Sequence, residues 1–250
     1  MKFEIDVQEL LNKGAYFGHR IARTNPKAIP FTYKAQNGIY LIDLFQTKEM
    51  IEKALAALYQ AATEGQGLLV VGTKRLVKSY IKATLSNTNV FFLSEKWVAG
   101  FLTNFDEIHK NIKEANQMLE EKQRGTWLGN PKHEISKMEK KLRKLLKVYE
   151  GVLKMEKIPE NILIIDIKKE KNALKEVLSL KDIYKHKYGA SLKLYGIVDT
   201  NADPTVIDYP MVLNDDSVDS LEYVVKHLLD AYAKGIKKAE SKKTPIEVKK

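Results

Sequence analysis

The sequence predicts an α/β fold in which a parallel sheet carries helices on both faces. Short runs rich in β-branched and aromatic residues alternate with segments of helical periodicity, which is the pattern of βαβ units. Two runs, Leu68–Val71 and Ile162–Asp166, are almost wholly apolar, as strands buried on both faces are. A chain of 250 residues, 44% of them hydrophobic, can bury a sizeable core. We therefore expect a doubly wound sheet of about five parallel strands.

The individual elements follow from periodicity and from end signals. Ile39–Asp43 is predicted as the first strand, and it leads into a helix over Thr47–Thr63 whose apolar residues share one face. Thr47 is the expected N-cap of that helix, and Gly65 lies where a helix-ending glycine belongs. The other predicted helices are Lys74–Thr84, Lys171–Leu180 and Ser217–Ile236, and the other predicted strands, besides the two apolar runs, are Val90–Leu93, Leu194–Val198 and Pro210–Leu213.

Residues 106–158 interrupt this alternation because they contain no strand candidate. Apolar residues recur there every three or four positions in two stretches, which the turn-like segment Gly125–Pro131 separates. This pattern predicts an inserted antiparallel helical hairpin, a short coiled coil, with Thr103 and Asn104 capping its first helix. The dense basic run Lys140–Lys147 is either an ordinary solvated face or a contact with a nucleic acid or a neighbouring protein, and we favour the contact.

Composition restricts the class of protein. The formal net charge of +10 and the pI of about 9.4 favour a polyanion as partner over a merely basic surface. The absence of cysteine excludes disulfides, thiolate catalysis and Cys-ligated metals. We find neither a signal-peptide pattern nor an apolar run of membrane-spanning length, so we expect a soluble protein of the cytoplasm.

The segment Leu10–Ile42 contains neither Asp nor Glu, although 32 acidic residues occur elsewhere in the chain. Aromatic residues alternate with its cations, which are Lys13, Arg20, Arg23, Lys27 and Lys34. Cations release counterions from phosphates, and flat rings and guanidinium groups can stack on bases. The segment is therefore the strongest indication of nucleic-acid binding, with Tyr16, Phe17 and Phe31 expected to pack against the domain rather than to stack.

Catalytic motifs are weak by comparison. Gly67–Lys74 superficially resembles a phosphate-binding loop, but Thr73 separates the second glycine from the lysine and the residues between the glycines are strand-like. No Gly-x-Gly-x-x-Gly follows any predicted strand. We therefore predict no nucleotide cofactor, no small-molecule substrate and no enzyme activity.

Carboxylates collect at the ends of the predicted strands, where open α/β sheets place their sites. The acidic residues there are Asp166, Asp199, Asp203, Asp215 and Asp216. Asp199, Asp203, Asp215 and Asp216, together with His19, are candidates for a divalent metal site, above all His19, Asp199 and Asp216. A metal-dependent α/β hydrolase or phosphatase is the alternative function. We favour a structural role, because Asp and Asn in such turns cap backbone amides.

Several segments together resemble one family, the bacterial-type small-subunit ribosomal protein S2 family. They are LLNKGAYFGHR, NPK and PFTY within residues 10–33, VVGTKR at 70–75, EKWVAGFLTNF at 95–105, IPENILIIDIKKEKNALKE at 158–176, and IVDTNADP with NDDS at 197–217. The resemblance extends over nearly the whole chain in the family's order. Lys96-Trp-Val-Ala-Gly100 departs conservatively from the family's usual Arg-Trp-Leu-Gly-Gly.

The resemblance implies a flavodoxin-like α/β domain with an inserted hairpin. On this basis the α/β RNA-binding domain comprises residues 1–105 and 159–233, the hairpin comprises 106–158, and 234–250 form a basic disordered tail. It further implies a structural, non-catalytic protein of the small ribosomal subunit that binds 16S-type rRNA between head and body, contacts neighbouring ribosomal proteins and helps to dock ribosomal protein S1. An organelle ribosome is the location if the gene is organelle-encoded. The expected RNA contacts are Arg20, Arg23, Asn25, Lys27, Lys34, Lys74, Arg75 and Lys96.

Overall fold

The computed structural model describes residues 3–86, 88–188 and 192–243. A short helix, α1 (Val7–Asn12), precedes three strands, β1 (Phe17–Arg20), β2 (Thr32–Gln36) and β3 (Ile39–Ile42). The remaining elements are α2 (Leu44–Thr63), β4 (Leu68–Val71), α3 (Lys78–Leu85), β5 (Phe91–Leu93), α4 (Phe105–Gln123), α5 (Lys132–Tyr149), β6 (Asn161–Ile165), α6 (Lys171–Tyr188), β7 (Lys193–Val198), β8 (Tyr209–Val212) and α7 (Val218–Lys243).

Five parallel strands form the central sheet in the order β5-β4-β6-β7-β8. Every residue of β4 and β6 is buried, which explains why all of them except Asn161, the first residue of β6, are apolar. The core on one face includes residues of α2, α3 and α7, and the core on the other includes residues of α4 and α6. The predicted α/β fold with a doubly wound parallel sheet is therefore confirmed.

The N-terminal strands form a separate antiparallel sheet in the order β1-β3-β2. We had expected Ile39–Asp43 to belong to the parallel sheet, and that expectation is wrong. Asn37 and Gly38 both have positive φ, 52° and 78°, which closes β2 onto β3 through a two-residue turn. We missed β1 and β2 because they lack the alternation of a half-buried strand: four of the five residues of β2 are exposed. We call residues 16–42 the N-terminal arm.

Helix α2 begins three residues earlier than predicted. Asp43, rather than Thr47, is its N-cap, and its carboxylate accepts hydrogen bonds from the amides of Phe45 and Gln46. Thr47 lies inside the helix, fully buried, and its hydroxyl donates to the carbonyl of Val212 at 2.6 Å. The next helix, α3, begins only at Lys78, because Lys74 takes part in the strand-end cluster described below.

Helices α4 and α5 lie side by side and run in opposite directions. Met118, Trp127 and Leu142 form a small buried cluster between them. Ion pairs join Lys122 to Glu139 and Lys141 to Glu114 across the exposed faces of the two helices. Asn104 occupies the N-cap position of α4, but its side chain makes no capping bond, so the predicted cap is wrong. The division of the chain into domains stays a prediction.

The last helix is longer than predicted. α7 continues to Lys243, so the predicted disordered tail is wrong for residues 234–243. Residues 244–250 of that tail lie outside the described residues. Gly235 allows α7 to pack closely on α2, because a Cβ atom there would lie 2.5 Å from the carbonyl oxygen of Tyr59. No helix within the described ranges is long and apolar enough to cross a membrane.

Candidate nucleic-acid interface

A buried ion cluster lies at the carboxyl ends of the parallel strands. The ammonium group of Lys74, two residues beyond Gly72 at the end of β4, lies 3.0 Å from Asp166, 2.8 Å from Asp215 and 2.8 Å from Asp216. Only 13% of the Lys74 side chain is exposed. Lys74 is one of the predicted RNA contacts, but in the structure its ammonium group is paired with three carboxylates.

The cluster shifts the pKa values of its members. Burial opposes the charged form of Lys74, but hydrogen bonds to Asp215 and Asp216 outweigh it and hold the Lys74 pKa above its usual value. Burial, together with the neighbouring charges of Asp166 and Asp199, raises the pKa of Asp215 to about 7. The hydrogen bond from Lys74 lowers the pKa of Asp216. One lysine therefore stabilises a group of carboxylates that would otherwise repel one another.

His19 joins the arm to this cluster. Its Nδ1 lies 3.1 Å from Asp199, its Nε2 lies 2.9 Å from the side-chain amide of Asn201, and Asp216 lies 3.8 Å away. The hydrogen bond with Asp199 raises the pKa of His19. His19, Asp199 and Asp216 lie close together, as expected for side chains that collect at the carboxyl ends of the strands. Within the part of the chain that the structure describes, however, no group of three or more such side chains has a metal-binding arrangement.

The loop after β7 holds the arm in place through Thr200. The backbone amide of His19 donates to the Thr200 hydroxyl at 2.8 Å, and the amide of Asn25 donates to the Thr200 carbonyl at 2.8 Å. Gly18 permits this approach, because a Cβ atom there would lie 2.7 Å from the Thr200 methyl group. The sequence offered no signal for Thr200, since it is one polar residue in a turn and its partners are about 180 positions away.

The expected RNA contacts on the arm fall into two groups. Arg20, Arg23 and Lys34 are exposed, and the structure gives them no carboxylate partner among the described residues. Lys27 is also exposed, but it pairs with Asp203 at 2.6 Å. Asn25 is structural, since its side chain accepts the backbone amide of Lys27 and caps a short 3-10 helix.

Arg75 and Lys96 lie at the same end of the parallel sheet as the arm, beyond β4 and β5, and both are exposed. A feature that we did not anticipate positions the loop of Lys96. The carboxylate of Glu176 on α6 accepts hydrogen bonds from the Trp97 indole at 2.9 Å and from the backbone amides of Gly100 and Leu102 at 2.8 and 3.1 Å. Glu176 could not be recognised from the sequence, because it lies among other charged residues in a helical segment that has the composition of a solvated helix face.

Phe17 was expected to be packing, but 43% of it is exposed. Tyr16 is half-buried, packs against the main core and lies against Phe17, with 4.0 Å between the ring centroids. Tyr33 on β2 is 73% exposed. The arm therefore presents two aromatic rings to solvent beside its exposed cations. Proteins that bind single-stranded nucleic acid use this combination of side chains.

Comparison with known proteins agrees with the resemblance seen in the sequence. The family model described as ribosomal protein S2 matches residues 10–235. The small ribosomal subunit protein uS2 of Picosynechococcus sp. is 32% identical over 231 residues, which cover 92% of this chain and 86% of the relative. The uS2 proteins of Coprothermobacter proteolyticus and of the Aster yellows witches'-broom phytoplasma are each 33% identical, over 92% of this chain and 82% of theirs.

The match extends over the elements that build the strand-end cluster and the arm. Lys74, Asp199 and Asp216 all lie inside the matched range, as do Arg20 and Arg23. The alternative interpretation as a metal-dependent hydrolase is wrong, because the family is structural and because Lys74 takes the place among the aspartates that a cation would need. From the fold, the site and these matches together, the chain belongs to the ribosomal protein S2 family, a family of structural proteins and not of enzymes.

Proposed function

We propose that this chain is a structural constituent of the small ribosomal subunit and binds 16S-type rRNA through its N-terminal arm. The observation that carries the proposal is the set of exposed cations Arg20, Arg23 and Lys34, which lie on an acid-free segment without carboxylate partners among the described residues. Guanidinium and ammonium groups of this kind bind phosphate and 2′-hydroxyl groups. Arg75 and Lys96 extend the same surface beyond β4 and β5.

Binding is tested with the purified chain and 16S-type rRNA over a range of salt concentrations. In the double variant Arg20→Ala/Arg23→Ala the slope of log affinity against log salt should fall by about 2, since about one counterion is released per phosphate contact. The matched control is Lys234→Ala/Lys237→Ala, which removes the same charge from the far end of α7. That end packs near Gln66, at the amino ends of the strands.

Two outcomes contradict the proposal. Affinity that does not change with salt would exclude phosphate binding as its basis, and an equal effect of the two double variants would show that net charge alone matters. Sedimentation of the tagged chain in a sucrose gradient gives an independent check. We expect it to move with small subunits, and RNA crosslinks should map to the arm.

The position in the subunit is a further part of the proposal. By resemblance to its family, the chain contacts rRNA between head and body, contacts neighbouring small-subunit proteins and helps to dock ribosomal protein S1. It works in a cytoplasmic ribosome, or in an organelle ribosome if the gene is organelle-encoded. Small subunits depleted of this chain should bind ribosomal protein S1 less well, and re-addition of the chain should restore that binding.

We also infer that the chain needs no resident metal. The ammonium group of Lys74 already supplies a positive charge to Asp166, Asp215 and Asp216, which leaves Asp199 and His19 paired with each other. Metal analysis of the purified chain after loosely bound ions have been removed tests this. One equivalent of a tightly held divalent ion would overturn it.

A further inference from the structure

A depression of about 350 Å³ lies between the arm and the strand ends. From the arm it is lined by Phe17, Arg20 and Arg23, and from the loop between β8 and α7 by Asn214 and Asp216. The volume is sufficient for one nucleobase with part of its ribose. His19 and Asp199 also line it, but Asp199 is buried and paired with His19. The depression therefore combines an aromatic ring, two cations and one exposed carboxylate, that of Asp216, in a space of nucleotide size.

The carboxylate of Asp216 is the unexpected member of this set. It is 63% exposed on a surface that is otherwise suited to phosphate, and a carboxylate repels phosphate. Its Oδ1 accepts a hydrogen bond from Lys74 at 2.8 Å, while its Oδ2 lies 3.8 Å from the Nε2 of His19, beyond hydrogen-bond distance. The lowered pKa of Asp216, for which Lys74 is the main cause, keeps the group charged near neutral pH.

An ionised carboxylate only accepts hydrogen bonds, so it requires a donor-rich ligand. Among the four RNA bases, only guanine presents two adjacent donors on its Watson–Crick edge, N1–H and the N2 amino group. Adenine and cytosine each place a ring-nitrogen acceptor beside their amino group, and in uracil N3–H lies between two carbonyl oxygens. Those acceptors would face the carboxylate and repel it.

We propose that this depression binds an unpaired guanosine of the RNA. Asp216 accepts N1–H and the N2 amino group, Phe17 stacks on the base, and Arg20 and Arg23 bind the adjoining phosphates. The base must be unpaired because its Watson–Crick edge is the edge being read. The inference rests on the proposed RNA-binding function, and it adds a base preference to a surface that otherwise reads only the backbone.

The test uses three fluorescently labelled heptamers, in which the central base of a uridine run is guanine, adenine or hypoxanthine. Binding to the purified chain is measured by anisotropy at low salt. We expect the guanine heptamer to bind roughly tenfold more tightly than the adenine heptamer, as is typical of a bidentate side-chain contact. The hypoxanthine heptamer, which keeps N1–H but lacks the amino group, should lie between them.

The variant Asp216→Asn separates base recognition from general binding. It should weaken the guanine heptamer to the level of the adenine heptamer. The adenine heptamer should bind equally well or more tightly, because a negative charge has been removed from the surface. The matched control Asp219→Asn removes the same charge from an exposed position on the first turn of α7, outside the depression, and should keep the guanine preference.

The remaining outcomes contradict either the guanosine site alone or the proposed RNA-binding function as well. If the wild-type chain binds 16S-type rRNA but shows no guanine preference, the guanosine site is wrong and the proposed function stands. If Asp216→Asn weakens all heptamers equally, while thermal unfolding shows a folded protein, Asp216 is only structural and the site is again wrong. If neither the rRNA nor any heptamer binds, the proposed function fails and this inference fails with it.

Discussion

Lys74 and Arg75 are consecutive basic residues with different environments. Lys74 lies among three aspartates, whereas Arg75 is exposed at the sheet's carboxyl edge. Sequence alone assigned both to RNA, because the difference depends on which strand ends meet in space. The carboxylates concerned come from the ends of β6 and β8, more than 90 and 140 positions further along the chain.

We predict that Lys74→Met destabilises the chain by roughly 3–5 kcal/mol, because it leaves several carboxylates without a counter-charge. The neighbouring change Arg75→Ala should alter the free energy of unfolding by no more than about 0.5 kcal/mol, as expected for an exposed residue. It should nevertheless weaken rRNA binding. Urea unfolding and salt-dependent binding measure the two effects. Equal stabilities for the two variants would contradict the assignment of Lys74 to the cluster.

The raised pKa of Asp215 predicts a pH dependence of stability. The folded chain holds a proton on Asp215 up to about pH 7, whereas the ordinary value is 3.8. This contribution to stability is therefore complete below the ordinary pKa and is lost as pH rises through about 7. His19 acts in the same direction, because its raised pKa also favours the protonated form in the folded chain.

We expect the contribution of Asp215 to make the free energy of unfolding fall between about pH 4 and about pH 7, and Asp215→Asn should reduce that fall by roughly 1–3 kcal/mol. Urea unfolding at a series of pH values measures the change. Asp219→Asn, an exposed aspartate on α7, should keep the wild-type dependence. A fall that is equally steep in Asp215→Asn would show that this carboxyl does not titrate in the range.

At the scale of secondary-structure elements, buried strands were predicted more accurately than exposed strands. β4 and β6 were placed to within one residue because every position is buried and all but Asn161 are apolar. The arm strands β1 and β2 could not be predicted in this way, since they are held by a hairpin turn and by contacts with the loop of Thr200 rather than by a buried face. The start of α2 was misplaced because Asp43 is the N-cap, whereas Thr47 lies inside the helix and bonds to the distant Val212.

We predict that Gly18→Ala loosens the arm. The added methyl group would meet Thr200 at 2.7 Å and the Tyr40 carbonyl oxygen at 2.8 Å, so one side must shift. The expected cost is roughly 1–3 kcal/mol of unfolding free energy, together with weaker rRNA binding. Gly129→Ala is the control, because nothing lies within 4 Å of its Cβ position. If the two variants unfold alike, the close approach of arm and loop is unimportant.

For the molecule as a whole, the basic surface is divided between the arm and α5. Lys140, Lys144 and Lys147 are exposed on α5, and the structure gives them no ion pair among its described residues, whereas Lys141 is bound to Glu114. Replacing these three by Ala should reduce the salt slope of rRNA binding by about 3 if α5 lies on RNA, as we expect. An unchanged salt slope of rRNA binding would identify this face of α5 as solvated.

The fold class, the helices on both faces and the family could be inferred from the sequence, because they rest on periodicity and on motifs that occur in a fixed order. The candidate site could be inferred only in part. The acid-free sequence indicated that Arg20, Arg23 and Lys34 are RNA contacts, which stays a prediction, and the structure shows them exposed and without a carboxylate partner among the described residues. Asp216 was interpreted from the sequence as a helix-capping residue, although it lies beside Arg20 and Arg23. Its position opposite the arm depends on the three-dimensional junction of β1 with the strand ends.

The arm's attachment also has a consequence for the order of events during synthesis. His19 is hydrogen-bonded to a residue 181 positions further along the chain, and the main-chain amide of Asn214 bonds to the carbonyl of Ala15. A polypeptide emerges from its amino terminus, so the arm is synthesised before its docking loop, which follows about 180 residues later. A nascent or truncated chain therefore carries the cations but not the assembled surface. Only a chain that includes the loops of Thr200 and Asn214 presents it.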